Sequence, residues 1–491
     1  VDRPEDLFDR EREWAELEQF VSSGQRGLQI GMVYGRRRQG KSFLLRRLVT
    51  AQRGIYCLAL EEQRRPALER FGRCVAEALG LPAMLRFDDW TQALRLALGL
   101  DQPGGGRLVV LDEFPYLLHG APELASAIQA LYDDSRNDPA APVAHLVLCG
   151  SAFTIMSELL SGARPLRGRS RLDLVVPPFD YRTAREFWGI ADQDVAMRLH
   201  AVLGGTPGYR DLTDSVPQSM AELDRWLVGH VLNPAHALFG ETDYLLREDP
   251  TITDRALYQS VLAAIAGGQT TPGGIAAALG RDARSLWHPL DVLRAGGFVR
   301  RSEDVLTQRR PIYAVADPII RFGMLIVRPR QAMYEERHAP SAWAASTEAF
   351  ATRVLGPHVE DLAREWTRRF AAATTLGGPV GIVGQAVLND PTGRATHELD
   401  VIALADGQQL HAKRAVIRAI GEAKVTNRPR SVSDLDRLER IRILLAQRGH
   451  DAWQARLLLF SRTGFTTGLL DATRTRDDVE LVDLVRLYTS D

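Results

Sequence analysis

The stretch Val33-Tyr34-Gly35-Arg36-Arg37-Arg38-Gln39-Gly40-Lys41-Ser42, VYGRRRQGKS, decides how the first third of the chain is read. It has the form G-x-x-x-x-G-K-S, and its surroundings are those the form requires. Before it, Gly27 to Gly35 (GLQIGMVYG) is a short apolar run ending in glycine, the pattern of a buried strand. After it, Phe43, Leu44, Leu45, Leu48 and Val49 recur at helical spacing in KSFLLRRLVTAQ. A glycine-rich turn between strand and helix presents backbone N–H groups and a helix N-terminus to phosphate. Gly35, Gln39, Gly40 and Lys41 are therefore expected to cradle the β- and γ-phosphates of a nucleotide. Lys41 adds a point charge, and the Ser42 hydroxyl is the expected Mg²⁺ ligand. Arg36, Arg37 and Arg38 occupy variable positions and are expected to point outward, toward a partner or DNA.

Further along, Arg107 to Leu117 (RLVVLDEFPYL) reads as a second buried strand, ending in Asp112-Glu113. Acids at the C-terminal end of such a strand meet phosphates in the crevice of an open sheet. Asp112 is expected to hold Mg²⁺ through water, and Glu113 to polarise the attacking water. A third strand, Ala144 to Ser151 (AHLVLCGS), ends at Ser151, placed to sense the γ-phosphate or that water. In Ala163 to Leu174 (ARPLRGRSRLDL), Arg164, Arg167, Arg169 and Arg171 follow one another with no acid between them. An arginine supplied by a neighbouring subunit can stabilise the transferring phosphoryl group. Arg169 is expected in that role, which implies a homo-oligomer; a solvated basic loop is the alternative.

At 491 residues the chain is too long for one ordinary core, so two to four domains are expected. A formal charge of −1 excludes a global basic signature, and any nucleic-acid surface must be a local patch. Cys57, Cys74 and Cys149 are scattered without metal-ligand spacing and fit a reducing compartment. No apolar run approaches the roughly 20 residues needed to cross a bilayer, and the polar, acidic start is not a signal peptide. A cytoplasmic protein without a membrane partner is expected.

The middle of the chain reads as a winged helix-turn-helix. Ala256 to Gly268 and Thr270 to Gly280 form two helical runs; Arg281 to Arg301 holds a third, which ends at Gly296-Gly297, with Leu286, Leu290 and Leu293 on one face and Pro289 inside it. Two short strands around a turn follow. In that geometry the third helix enters a major groove and presents Arg281, Arg284, Ser285 and His288, while Arg309 and Arg310 of the wing meet phosphates. A module that only packs between domains or contacts protein is the alternative.

In the last third, Glu348 to Phe370 is mostly helical and contains Glu360. Asp400 opens the apolar run Val401 to Leu404, and Arg414 to Thr426 is a further strand in which Glu422 and Lys424, two apart, share a face. Antiparallel pairing of the two strands makes Asp400 a neighbour of Glu422 and Lys424. Two carboxylates suit Mg²⁺, and the metal with Lys424 would activate a water against a phosphodiester; Glu360 completes the set.

Two resemblances cover most of the chain. LFDREREWAELEQF (Leu7 to Phe20), GRRRQGKS, LDEFPYL, LVLCGS, the GRSR segment and LGGTPGYR (Leu203 to Arg210) stand in the order seen in the archaeal-type ATPases of the AAA+/STAND group. That resemblance implies a nucleotide-binding core over 1–180, with Phe8, Arg10 and Glu11 near the adenine of ATP. It implies a helical lid over 181–245, carrying Gly204-Gly205-Thr206-Pro207, and it extends through the winged-helix segment 246–330, which closes at Asp317-Pro318. The second resemblance, over 345–491, is to the PD-(D/E)XK nuclease fold, with Glu360, Asp400, Glu422 and Lys424 at the motif positions and Glu398-Leu399 where the proline usually precedes the aspartate. The fold class implied is multidomain α/β: a P-loop AAA+ core with a parallel sheet and helical lid, a winged helix, and a PD-(D/E)XK-like domain. Two functions fit. One is an ATP-driven enzyme that acts on DNA with a metal-dependent nuclease domain. The other is an ATP-switched regulator, binding DNA or protein, whose nuclease fold does not cut.

Overall fold

The computed structural model describes residues 3–102, 104–160, 164–309, 311–390 and 393–489. The chain divides into two compact units. One comprises Val1–Pro178 with Thr206–Tyr209 and Leu245–Thr253; the other comprises Phe179–Gly205, Arg210–Tyr244 and Asp254–Asp491.

The first unit is built on strands β1 (Gly27–Tyr34), β2 (Ile55–Leu58), β3 (Leu108–Asp112), β4 (Val143–Gly150) and β5 (Ser170–Val175), in the order β2-β3-β4-β1-β5. All pairings are parallel. Parallel sheets are covered on both faces, so their strands read as unbroken apolar runs. Alternation still divides the side chains: Leu28, Ile30, Met32, Leu146 and Leu148 enter one core cluster. Val33, Val147, Cys149, Leu172 and Leu174 enter another, with Leu44, Leu45 and Leu48 of the helix Lys41–Gln52. The strand order matters for the site. The chain leaves β1 for distant β2 while β4 and β5 flank β1, so a crevice opens at the C-terminal strand ends.

In the second unit, Asp254 caps the helix Arg255–Ala266 and Thr271 caps Pro272–Ala278, which has proline in its first turn. A 3₁₀ turn, Ala283–Leu286, runs into the helix Trp287–Ala295. Strands β6 (Val299–Ser302) and β7 (Ile312–Val315) then pair antiparallel. The third helix thus starts later than the expected Arg281 and ends at the expected Gly296-Gly297, and Pro289 lies in its first turn, where a missing N–H costs no intrahelical bond. A second sheet contains β8 (Val380–Asp390), β9 (Ala395–Ala405), β10 (Ile417–Lys424), β11 (Arg456–Ser461) and β12 (Val479–Val482) in sequence order. Strand β9 runs antiparallel to both neighbours; β10, β11 and β12 are mutually parallel. One face takes Leu435, Leu438, Ile441 and Leu445 of the helix Val432–Gln447. On the other face Trp366 of the helix Gly356–Arg369 meets Phe460 edge-on, ring centroids 5.6 Å apart.

The turn between β6 and β7 does not project freely. Val305 and Leu306 are buried in the core of the second sheet. The Val305 N–H donates to Gln385 O at 3.0 Å, and the Asp304 carboxylate accepts from Val387 N–H at 2.7 Å. The turn therefore covers edge strand β8 at the irregularity between Gly384 and Ala386. No described helix is long and apolar enough to cross a membrane.

Candidate functional site

The glycine-rich turn follows β1 directly, and two glycines are required by its geometry. Gly40 has φ 86° and starts the helix Lys41–Gln52 with no side-chain cap, leaving its first N–H groups for an anion. Gly35 has φ 154°, and a Cβ there would run into the Val176 carbonyl. Lys41 is buried and its Nζ donates to Arg36 O at 2.9 Å, bridging the turn where phosphate oxygens would enter. Burial pushes its ammonium below the ordinary lysine value, against the pull of Cys149, Glu113 and Asp112.

Register brings the remaining groups to the same place. Tyr34 pairs with Gly150 and Leu111 with Leu148, which sets Gly35, Asp112-Glu113 and Ser151 side by side at the strand ends. Asp112 is buried and accepts from the Glu113 N–H at 2.9 Å and from the Tyr56 hydroxyl. Burial alone would raise its carboxyl; hydrogen bonds from Cys149, Ser42, Tyr56 and Glu113 outweigh it and hold the group below the usual carboxylate value. The Ser42 hydroxyl and an ionised Asp112 are thus already joined, an oxygen pair suited to a hard divalent cation. Glu113 adopts φ 54°, a left-handed conformation uncommon outside glycine, and its Oε2 accepts from Ser151 Oγ at 3.0 Å. Arg10 is buried and donates to Gln39 O at 3.3 Å, so it braces the turn, while Phe8 is half exposed. Tyr56 and Cys149 escaped the sequence reading. Cys149 lies two residues before Ser151, and only the strand register turns it toward Asp112.

Of the arginines of the turn, Arg37 is engaged through its side chain, whereas Arg36 and Arg38 are tied by their backbone. Arg36 and Arg38 give their carbonyls to Lys41 and Gly208, and Arg37 pairs with Glu248. Arg169 sits on Asp133, donating from Nε and Nη2 at 3.0 and 2.9 Å. Because Ser170 pairs with Ile30, Arg169 lies about five residues short of the phosphate turn along β1, roughly 16 Å. Cys57 and Cys74 form a disulfide between β2 and the helix Arg64–Ala78, a pairing their scattered spacing did not suggest, and Cys149 is free.

The family comparison fits this geometry. Residues 7–200 match the model of an ATPase domain predominantly from Archaea. An uncharacterized protein of Methanocaldococcus jannaschii is 25% identical over 342 residues, 67% of this chain and 71% of its own length. Among solved structures, the Walker-type ATPase of Pyrococcus abyssi is 22% identical, covering 66% of this chain and 97% of its own, with a TM-score of 0.49. The Aeropyrum pernix ORC2 protein in its ADPNP–ADP complexes is 15% identical, covering 69% and 97%, with a TM-score of 0.47.

A second cluster lies in the C-terminal sheet. Gly421 pairs with Val401, which places Asp400 opposite Glu422 across an antiparallel pair, and Ala423 N–H donates to Asp400 Oδ2 at 2.8 Å. Asp400 lies in mid-strand rather than opening it, since β9 begins at Ala395. Burial, then the Glu422 charge, raises the Asp400 carboxyl against the Ala423 hydrogen bond. Glu360 is pushed up to about 7, first by burial and then by Asp400. Lys424 Nζ lies 3.3 Å from Glu422 Oε1 and 2.8 Å from Asp434 Oδ1. Two further cations reach Glu422: Arg437 at 3.0 Å and fully buried Arg430 at 3.6 Å. Asp434, Arg430 and Arg437 were not singled out from sequence; their signal is the helical spacing of four and three residues. Among the described residues no group of three or more His, Cys, Asp or Glu is placed to hold a metal ion. The expected set Glu360, Asp400 and Glu422 is thus electrostatically coupled but does not form a ready-made cage.

Of the expected DNA-contact residues, Arg281, Arg284 and Ser285 are exposed on the 3₁₀ turn and its approach. Asp282 caps that turn by accepting from Arg284 N–H at 2.7 Å. Arg309 instead donates to Val387 O at 3.2 Å, so it is engaged by the C-terminal sheet. Arg310 lies outside the described residues.

Proposed function

We propose that the protein is an ATP-binding and ATP-hydrolysing AAA+ protein that acts on DNA. The observation that carries the ATPase part is the convergence of Lys41, Asp112, Glu113 and Ser151 at adjoining strand ends. The open N-terminus of the helix Lys41–Gln52 and Lys41 take the phosphates. Ser42 and Asp112 would hold Mg²⁺, which neutralises developing phosphate charge. Glu113 accepts a proton from, and orients, the attacking water, while Ser151 fixes the carboxylate through its 3.0 Å hydrogen bond. Arg169, remote from its own turn, serves a neighbouring subunit, where it leaves Asp133 for the transferring phosphoryl group. Phosphate release from ATP by wild-type protein and by Lys41→Ala tests this reading. Equal turnover in the two would refute it.

The helices and hairpin over 255–315 act as a winged helix, and the C-terminal domain acts as a PD-(D/E)XK-like nuclease. The observation behind the nuclease is the facing pair Asp400 and Glu422 with Lys424 beside them and Glu360 raised to about 7. These groups would hold a divalent cation, which activates water, while Lys424 stabilises charge on the phosphodiester. A second reading, a regulator whose nuclease fold binds without cutting, is favoured by the cations Arg430, Arg437 and Lys424 already around Glu422. A cleavage assay on supercoiled, linear and single-stranded DNA with Mg²⁺ or Mn²⁺, with ATP, ADP or no nucleotide, separates them. Cutting that Lys424→Ala abolishes supports the nuclease. No cutting while ATP is hydrolysed supports the regulator.

A further inference from the structure

Beside the helix Trp287–Ala295 lies an open cleft of about 660 Å³. Leu290, Pro311 and Tyr313 give it apolar walls, and Arg294 and Arg301 stand at its sides. At its mouth is Trp287, whose side chain is 69% exposed. An indole left largely in water makes little contribution to its own fold, and an aromatic face beside an apolar cleft is a platform for another flat ring.

The charges around it say what kind of ring. Arg281, Arg284 and His288, within six residues of Trp287 in sequence, are exposed. Arg281 and Arg284 form no ion pair with a described residue, while Arg294 pairs with Asp291 at 2.6 Å and Arg301 with Glu303 at 3.1 Å. Those two pairs are solvent-exposed, so they are weak and exchangeable for phosphate. Guanidinium groups interleaved with an exposed aromatic form the combination that tracks a nucleic-acid strand and stacks its bases. A duplex offers its bases only by their edges, whereas stacking on Trp287 needs a base with a free face. The hairpin turn that would grip the other side of a duplex is buried in the second sheet through Asp304, Val305 and Leu306.

We propose that Trp287, with Arg281 and Arg284, binds an unpaired base of a single-stranded or locally opened DNA, the base stacking on the indole at the mouth of the cleft and the arginines meeting the flanking phosphates. This rests on the reading that the protein acts on DNA, and it names the form of DNA taken. It predicts a preference for opened strands that a helix reading base edges would not produce.

The test is fluorescence anisotropy of the full chain with a poly(dT) strand, a fully paired duplex, and the same duplex with a central mismatched bubble. Wild-type protein should prefer the strand and the bubble to the duplex. Trp287→Ala should weaken strand and bubble binding about 5- to 100-fold with an unchanged salt dependence, and Trp287→Phe should keep most of the affinity. Arg281→Ala/Arg284→Ala should lower the slope of log K against log salt by roughly 0.7 per lost phosphate contact on single strands. Trp453→Ala, at an indole 63% exposed elsewhere in the same unit, should leave binding intact. Because Trp287 is exposed, its variants should keep wild-type melting and ATP turnover. Duplex binding that equals bubble binding and is indifferent to Trp287→Ala would overturn the proposal and leave the DNA reading standing. No binding to any of the probes by wild-type protein would overturn both and assign the cleft to an apolar side chain of a protein partner.

Discussion

Glu113 and Ser151 should act as one unit in hydrolysis. Glu113→Gln keeps the shape of the side chain but removes its ability to take a proton. General-base catalysis is worth about 10²- to 10⁴-fold, or roughly 3–5 kcal/mol, so turnover at saturating ATP should fall by about that factor. Nucleotide affinity should change little, because in the proposed site Lys41 and the helix N-terminus take the phosphates. Ser151→Ala removes the hydroxyl that donates to Glu113 Oε2 at 3.0 Å. A hydrogen bond to a charged group contributes about 1.5–3 kcal/mol when buried. Glu113 and Ser151 are only partly buried, so a loss of roughly 1–2 kcal/mol, about 5- to 30-fold in rate, is expected. If the serine acts through the glutamate, the double variant should be no slower than Glu113→Gln within about twofold, a coupling of roughly 1–2 kcal/mol. The assay is phosphate release at saturating ATP for the four proteins, with binding of a fluorescent ATP analogue measured alongside. Losses that simply multiply in the double variant would show that Ser151 touches the phosphate or the water independently. A Glu113→Gln protein that turns over like wild type would remove Glu113 from the mechanism.

Arg169→Ala should retain ATP binding and lose turnover, and mixing it with excess Lys41→Ala protein should restore part of the rate if the arginine works across subunits; absence of rescue would place its action within one chain. The Glu360 carboxyl, raised from 4.5 to about 7, binds its proton more tightly in the folded state. Its favourable contribution is therefore fully present below pH 4.5 and is lost as pH rises to 7, by at most about 3 kcal/mol. Glu360→Gln should accordingly gain stability over wild type in EDTA above pH 7 and lose that advantage below pH 5, as read from denaturant midpoints. Asp361 is surrounded by Arg300, Arg321 and Arg364, whose charges overcome its burial and hold its carboxyl far below the usual range. Asp361→Asn strands these guanidinium groups and should cost about 3–5 kcal/mol; a denaturant midpoint unchanged from wild type would refute that account.

Much of the parallel-sheet unit was legible because its signals are local. A strand, a glycine turn and a helix are set by consecutive residues, and the phosphate site is made by that same backbone. Acids and a serine at the ends of apolar runs are equally local, which is why Asp112, Glu113 and Ser151 could be named. The engagement of Arg37 was not legible because its partner, Glu248, is 211 residues away in sequence. The pairing of Cys57 with Cys74 was likewise invisible, since a strand and the helix that follows it present their sulfurs to each other only after packing. In the last third, the period of two placed Glu422 and Lys424 on one face. The antiparallel register that faces Asp400 with Glu422 was an assumption the fold supplied.

By itself, then, the sequence determined the phosphate turn, the acid pair and the apolar strands, because backbone conformation and side-chain period are written in neighbouring residues. The tertiary structure alone decided that hydrogen bonds from Cys149, Ser42 and Tyr56 hold the Asp112 carboxyl below its usual value and that the β6–β7 turn is buried on β8. It also decided that Arg430 and Arg437 crowd Glu422 and that Trp287 is left in water. Each of these depends on strand order, register or docking between distant segments. Those are fixed by the summed burial of whole faces, and no local pattern of residues encodes that sum.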